Sequence, residues 1–169
     1  MNAVTHIVVM GVSGAGKSTL ARALAAKLRW PFLEGDDLHP AANVDKMRAG
    51  TPLDDADRTP WLLAIRDWIS ANRLRGCSTV VSCSALKRDY RDSIRGSATD
   101  VRFVHLAGDR ALFAEHLVRR TDHFMPSKLL DSQLATLDAP SATEAVIIDA
   151  ALPTLAQVNL AIAALGISG

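Results

Sequence analysis

Residues 11–18 read Gly11-Val12-Ser13-Gly14-Ala15-Gly16-Lys17-Ser18, a complete G-x-x-x-x-G-K-[ST] phosphate-binding loop. It stands between an apolar run, His6-Ile7-Val8-Val9-Met10, and an Ala/Leu-rich stretch from Thr19 to Leu28. Such a loop works only when a strand delivers it and a helix leaves it, so the motif and its flanks together commit this segment to a strand–loop–helix unit. The glycines let backbone N–H groups turn inward around polyphosphate oxygens, Lys17 reaches the β and γ phosphates, and the Ser18 hydroxyl suits Mg²⁺. The positive end of the helix dipole falls on the same anion site. A glycine-rich turn without a ligand gives no reason for Lys and Ser to follow the last glycine. The segment therefore predicts a site for ATP or GTP and leaves open what receives the phosphate.

The rest of the chain fits one domain. Its 169 residues are enough for a sizeable core, and 49% hydrophobic with 22% charged residues is ordinary globular composition. A formal net charge of +1 marks no nucleic-acid or membrane-surface partner. No apolar segment approaches the roughly 20 residues that span a bilayer. The N-terminus runs into the first strand without a basic leader or a cleavage site, so a cytoplasmic protein is expected. Cys77 and Cys83 form no C-x-x-C pair and read as small buried hydrophobes.

Short apolar runs alternate with helical stretches. Strands are expected at Ile7–Met10, Pro31–Glu34, Thr79–Ser82, Val101–Leu106 and Ala145–Asp149. Helices are expected at Ser18–Leu28, Asn43–Ala49, Trp61–Arg73, Leu86–Ile94, Arg110–Arg119, Ser127–Leu137 and Leu155–Leu165. This alternation predicts an α/β fold: a five-stranded parallel sheet with helices on both faces. Ligands then bind beyond the carboxyl ends of the strands, which collects the loop after strand 1, Glu34–Asp37 and Ser82–Lys87. Two longer excursions, 39–60 (39–75 with the helix that follows) and 119–131, are the expected acceptor-binding module and lid.

The segment after strand 2 addresses the acceptor. It carries Glu34, Asp36, Asp37, His39, Asp55, Asp57 and Arg58. A carboxylate at a strand end, facing a phosphate loop, can orient an attacking hydroxyl and accept its proton, or hold water on Mg²⁺. Arg58, Lys87 and Arg91 suit an anionic acceptor, because a guanidinium grips a carboxylate bidentately. Taken singly, each of these cations reads equally well as a solvated surface charge. His39 could simply cap a turn before Pro40, and Trp61 and Trp68 read as packing residues.

These segments resemble the bacterial-type gluconokinases along nearly the full chain. The shared motifs are GVSGAGKS at 11–18, E-G-D-D-L-H-P at 34–40, N-x-x-K-M-x-x-G-x-P-L at 43–53 and D-x-D-R-x-P-W-L at 55–62. They continue with S-C-S-A-L-K-R-x-Y-R-D at 82–92, H-F-M-P at 123–126 and L-L-x-S-Q at 129–133. The resemblance implies ATP-dependent phosphorylation of D-gluconate at its 6-hydroxyl, a P-loop NTPase three-layer α/β/α fold like shikimate and nucleoside monophosphate kinases, and a homodimer. It assigns the loop with Thr19 to ATP and Mg²⁺, and Glu34 to the metal through water. Asp36 becomes the residue that orients or deprotonates the 6-hydroxyl. His39, Arg58, Lys87, Arg91 and His123 fall on the substrate side, and Arg120 on a lid over the phosphates. Relatives often place glycine before the lid histidine, where this chain has Asp122. Shikimate kinase-like enzymes are the neighbouring alternative, but they carry a glycine-rich turn where this chain has Cys83-Ser84-Ala85. A nucleoside monophosphate kinase would want an apolar base pocket, and residues 39–60 are rich in charge. A GTPase switch would need N-K-x-D and D-x-x-G, and neither occurs in the chain.

Overall fold

The computed structural model describes residues 3–120 and 127–168. One sheet holds β1 (His6–Met10), β2 (Phe32–Glu34), β3 (Thr79–Ser82), β4 (Val101–Ala107) and β5 (Ala145–Asp149) in the order β2-β3-β1-β4-β5, every pairing parallel. Strands covered on both faces read as continuous apolar runs, and every residue of β1 and β3 is buried. The register sets His6 beside both Thr79 and Val101.

The connecting helices are α1 (Lys17–Leu28), α2 (Ala41–Arg48), α3 (Asp55–Leu74), α4 (Arg88–Arg95), α5 (Arg110–Arg119), α6 (Ser127–Thr136) and α7 (Thr154–Leu165). From the central β1 the chain steps out to the β2 edge, then returns through β3 and crosses to β4 and β5. Right-handed crossovers turn that reversal into a change of face, with α1 on one side and the helices after β2, β3 and β4 on the other. The packing agrees: α1 lies against α7, α3 against α4 and α5 against α6. This is the three-layer α/β/α architecture expected from the sequence. The connections leaving the neighbouring strands β1 and β3 go to opposite faces, so the loop that follows β1 opens into the crevice where such sheets bind ligands.

Among the helix starts that differ from expectation, those of α3 and α4 do so for a clear local reason. Helix α3 begins at Asp55 rather than Trp61 because Asp54 and Asp57 form a capping box. The Asp57 N–H donates to Asp54 Oδ1 at 2.7 Å and the Asp54 N–H to Asp57 Oδ2 at 3.0 Å. Pro60 is carried inside the helix. Helix α4 begins at Arg88 rather than Leu86, because Ala85 sits at φ 46° and Lys87 is extended. Leu86 is thereby freed to wall the pocket described below.

The core runs along both faces of the sheet and includes two buried histidines. His6 pairs Nδ1 with Thr79 Oγ1 at 2.8 Å. His105 on β4 is only 5% exposed, and burial, reinforced by the charge of Arg91, pushes its pKa down from 6.5 to about 4. The unfolded chain binds a proton at His105 near pH 6.5 and the folded chain only near pH 4. Below the upper value the unfolded state therefore gains protons that the native state lacks, and stability falls as pH drops across that window. Urea unfolding of the wild type and His105→Gln at several pH values between these limits should show a flatter pH slope in the variant. Parallel slopes would remove His105 as a source of acid sensitivity.

Candidate active site

Steric constraints shape the phosphate loop. Gly14 and Gly16 lie at φ 83° and 92°, and a Cβ on Gly14 would sit 2.4 Å from the Phe113 carbonyl oxygen. Only glycine combines that backbone with so close an approach of α5. His116 of α5 bonds the Gly14 carbonyl through Nδ1 at 2.6 Å, so Nδ1 carries the ring proton. On the other flank the Ser13 N–H donates to Gln133 Oε1 at 2.7 Å, which ties α6 to the loop. Lys17 donates from Nζ to the Val12 carbonyl at 3.0 Å. Burial in the loop pushes the Lys17 pKa below the ordinary lysine value, against the pull of Asp36 and Glu34. A bound polyphosphate supplies the opposite charge that this ammonium lacks.

Glu34, at the end of β2, joins the start of α1 to the end of β3. Ser18 at the start of α1 donates to its Oε2 at 2.5 Å, and Ser82 at the end of β3 donates to Oε1 at 2.6 Å. The next residue must be glycine, because a Cβ on Gly35 would stand 2.2 Å from the Ser82 carbonyl oxygen. That contact starts the 3₁₀ turn Gly35–Leu38 and leaves Asp36 open to the crevice.

Opposite the loop, the excursion is held by a few polar bonds. Lys46 of α2 reaches both carboxylate oxygens of Asp57 on α3, at 2.9 and 2.8 Å. The His39 ring stacks on Trp61, with centroids 4.1 Å apart and planes 17° off parallel. Trp61 is fixed in turn by donating Nε1–H to the Gly35 carbonyl at 2.8 Å. Arg58 donates to the Tyr90 hydroxyl at 3.0 Å, and that hydroxyl donates to Asp55.

These elements enclose one pocket between the loop and the excursion. Ser13, Lys17, Asp36, His39 and Arg58 line it, together with Trp61, Leu53, Leu86 and Gln133. A second pocket lies on the other side of the loop, lined by Gly14, Ala15, Gly16, Thr19, His116, Arg119, Arg120 and the loop Ala150–Pro153. The phosphate loop thus has an acidic-and-basic pocket on one side and, on the other, one whose charged residues are all basic: His116, Arg119 and Arg120.

Arg91 is not a pocket residue, contrary to expectation. It is 1% exposed, and its guanidinium is consumed by Glu144 (Nε to Oε1 at 2.6 Å) and by the carbonyls of Ala85, Leu86 and Asp138. It closes the turn after β3, where Ala85 adopts the left-handed conformation a glycine would otherwise supply. Lys87 stays outside the pocket wall and donates to exposed Asp55 at 3.1 Å, with its ammonium over the Tyr90 ring. His123 lies outside the described residues. Cys83 is buried, and its thiol pKa is pushed up to about 12, mainly by burial, so it is no nucleophile. The sequence reading missed the pocket-forming roles of Trp61 and Gln133. Gln133 was visible only as part of L-L-x-S-Q, and nothing in its composition points to a loop N–H.

Comparison with known proteins fits this geometry. A family model described as an AAA domain matches residues 7–140. The gluconokinase of Gluconobacter oxydans is 52% identical over 141 residues, 83% of this chain and 79% of that protein. The crystal structure of a gluconokinase from Sinorhizobium meliloti superposes with a TM-score of 0.88 at 46% identity, covering 98% of this chain and 94% of the other. A shikimate kinase from Bacteroides thetaiotaomicron shares the fold, with a TM-score of 0.68 at 19% identity over 96% of this chain and 99% of that one.

The bonding of Arg91 and Lys87 predicts stability effects of very different size. Truncating one partner of a buried pair costs about 3–5 kcal/mol. Arg91→Ala should therefore lower Tm by roughly 10 °C, at the 2–4 °C per kcal/mol expected for this size. Lys87→Ala, which breaks an exposed pair, should stay within about 1 kcal/mol of wild type. Calorimetry giving equal Tm values for both variants would refute the structural role of Arg91.

Proposed function

The chain belongs to the gluconokinase family, and we propose that it transfers the γ-phosphoryl group of ATP to the 6-hydroxyl of D-gluconate, releasing 6-phospho-D-gluconate and ADP. The observation that carries this reading is the pocket in which Asp36, His39 and Arg58 face Lys17 across the phosphate loop. A polyol acid needs both a carboxylate for its reacting hydroxyl and a cation for its acid end, and this pocket offers both.

In this reading the loop from Gly11 to Thr19 cradles the triphosphate, with the adenine side toward Ala150–Pro153. Lys17 neutralises the β and γ oxygens from one flank and Arg120 from the other. Ser18 and Glu34 form a hard oxygen donor pair that fits Mg²⁺, Ser18 directly and Glu34 through water. Mg²⁺ there would supply charge neutralisation on the phosphates. Phosphoryl transfer runs through a loose transition state, so orienting the acceptor matters more than abstracting its proton. Asp36 holds the 6-hydroxyl in line and takes its proton as the bond to phosphorus forms. Arg58, steadied by Tyr90, holds the carboxylate at the other end of the substrate, and Lys87 adds positive charge at the rim. The reading extends to a single kinase domain with the acceptor-binding excursion 39–75 and the lid 119–131, acting as a cytoplasmic homodimer. Among the described residues no helix is long and apolar enough to cross a membrane.

A coupled ADP-release assay with gluconate, shikimate and AMP tests the acceptor directly. Turnover should depend on gluconate, and phosphorylation of shikimate or AMP in its place would overturn the reading. Asp36→Ala should lower kcat by roughly 10²–10⁴-fold with little change in the KM for ATP. A raised gluconate KM at near-normal kcat would make Asp36 a binding residue only. Arg58→Ala should raise the gluconate KM; a raised ATP KM instead would move Arg58 to the nucleotide side.

A further inference from the structure

We infer that Asn43 is a positioning residue: it fixes His39 as the tautomer protonated on Nε2, so that the imidazole turns an N–H toward the Asp36 carboxylate. Asn43 sits at the start of α2 and is 3% exposed. Its amide nitrogen donates to the Asp57 backbone carbonyl at 2.8 Å. A carbonyl accepts and cannot donate, so this bond settles which end of the carboxamide is nitrogen. The same nitrogen lies 3.1 Å from His39 Nδ1, and its second N–H requires a lone pair there. The ring proton is then left to Nε2, which faces Asp36 Oδ1 at 3.8 Å. Stacking on Trp61 holds the plane of the ring. Burial also pushes the His39 pKa down, which favours the neutral ring over the imidazolium.

The role rests on Asp36 acting on the acceptor hydroxyl. With Nε2–H turned toward one carboxylate oxygen, the other is left to accept the hydroxyl proton. The opposite tautomer would turn a lone pair toward the carboxylate and repel it. Outer-shell groups that orient a metal-ligating histidine are worth about 10–100-fold in activity, and a loss of the same order is expected here.

Long-range ¹H–¹⁵N spectra of the ¹⁵N-histidine-labelled full chain read the tautomer without substrate. His39 should show an unprotonated Nδ1 and a protonated Nε2, and a proton on Nδ1 would overturn the inference. Asn43→Asp, which puts an acceptor beside Nδ1, should move the proton and lower kcat by about 10–100-fold with the KM for ATP unchanged. His39→Gln sets an amide N–H near the Nε2 position and should lose less kcat than His39→Ala. Adding Asn43→Asp to it should then cost no further kcat. Equal losses from Asn43→Asp in both backgrounds would make Asn43 merely structural. If Asn43→Asp does not fold, His39→Gln against His39→Ala keeps the test, because equal kcat in these two would overturn the donor role. A wild type inert toward gluconate but with His39 protonated on Nε2 would overturn the functional reading alone.

Discussion

The Glu34 carboxylate, held between the hydroxyls of Ser18 and Ser82, is the contact on which the site is built. It bonds the first turn of α1 to the carboxyl ends of β2 and β3, so the phosphate loop and the acceptor segment share one anchor. The geometry leaves no slack, because the residue after Glu34 approaches the Ser82 carbonyl so closely that only glycine fits. Asp36 follows immediately in a 3₁₀ turn, so its backbone position is inherited from that anchor, while its carboxylate has His39 Nε2 3.8 Å away. The same hydroxyl–carboxylate pair is also where a hard cation finds oxygen donors. Metal, nucleotide and acceptor would therefore meet at one rigid point, as phosphoryl transfer by positioning requires.

The acceptor half rests on a different kind of support. Residues 39–60 lie off the sheet, and cross-links between short elements hold them there. Lys46 joins α2 to Asp57 of α3, Trp61 joins α3 to the Gly35 carbonyl, and His39 lies flat on Trp61. Asp57 does double duty, since the carboxylate that caps α3 also accepts Lys46. The capping box, the helix start and the pocket wall are thus one arrangement. A change that frays the first turn of α3 would shift Arg58 as well, because Arg58 lies within that turn and a half.

What could be read from the sequence follows from how local each signal is. The phosphate loop, the five strands and their parallel arrangement rest on spacing and periodicity within short windows, and they stand where expected. The capping box was also local, as Asp54 with Asp57, but it lay among other acidic residues, and the apolar periodicity that marks the helix begins only at Trp61. Arg91 illustrates what spacing cannot give. It shares a motif with Lys87 and has the same charge, yet one is buried against Glu144 and three carbonyls and the other is in solvent. Only the approach of Asp138 and Glu144, some fifty residues on, separates their roles. Trp61 was read as a packing residue and does pack, but its buried face is also the floor for His39.

The turn after β3 shows how such long-range contacts replace a local solution. A left-handed residue there is cheapest as glycine, and Ala85 costs on the order of 1–2 kcal/mol more. The Arg91 guanidinium offsets that cost by bonding the carbonyls of Ala85 and Leu86. It thereby fixes Leu86 in the pocket wall and Ser84, whose carbonyl accepts the Gly11 N–H at 3.2 Å. A glycine turn would hold the same path with less rigidity, since its backbone has more conformations to lose. The buried ion pair therefore does for the rim of the acceptor pocket what the Glu34 clasp does for its floor. It turns a loop that could flex into a fixed edge against which a substrate can be aligned.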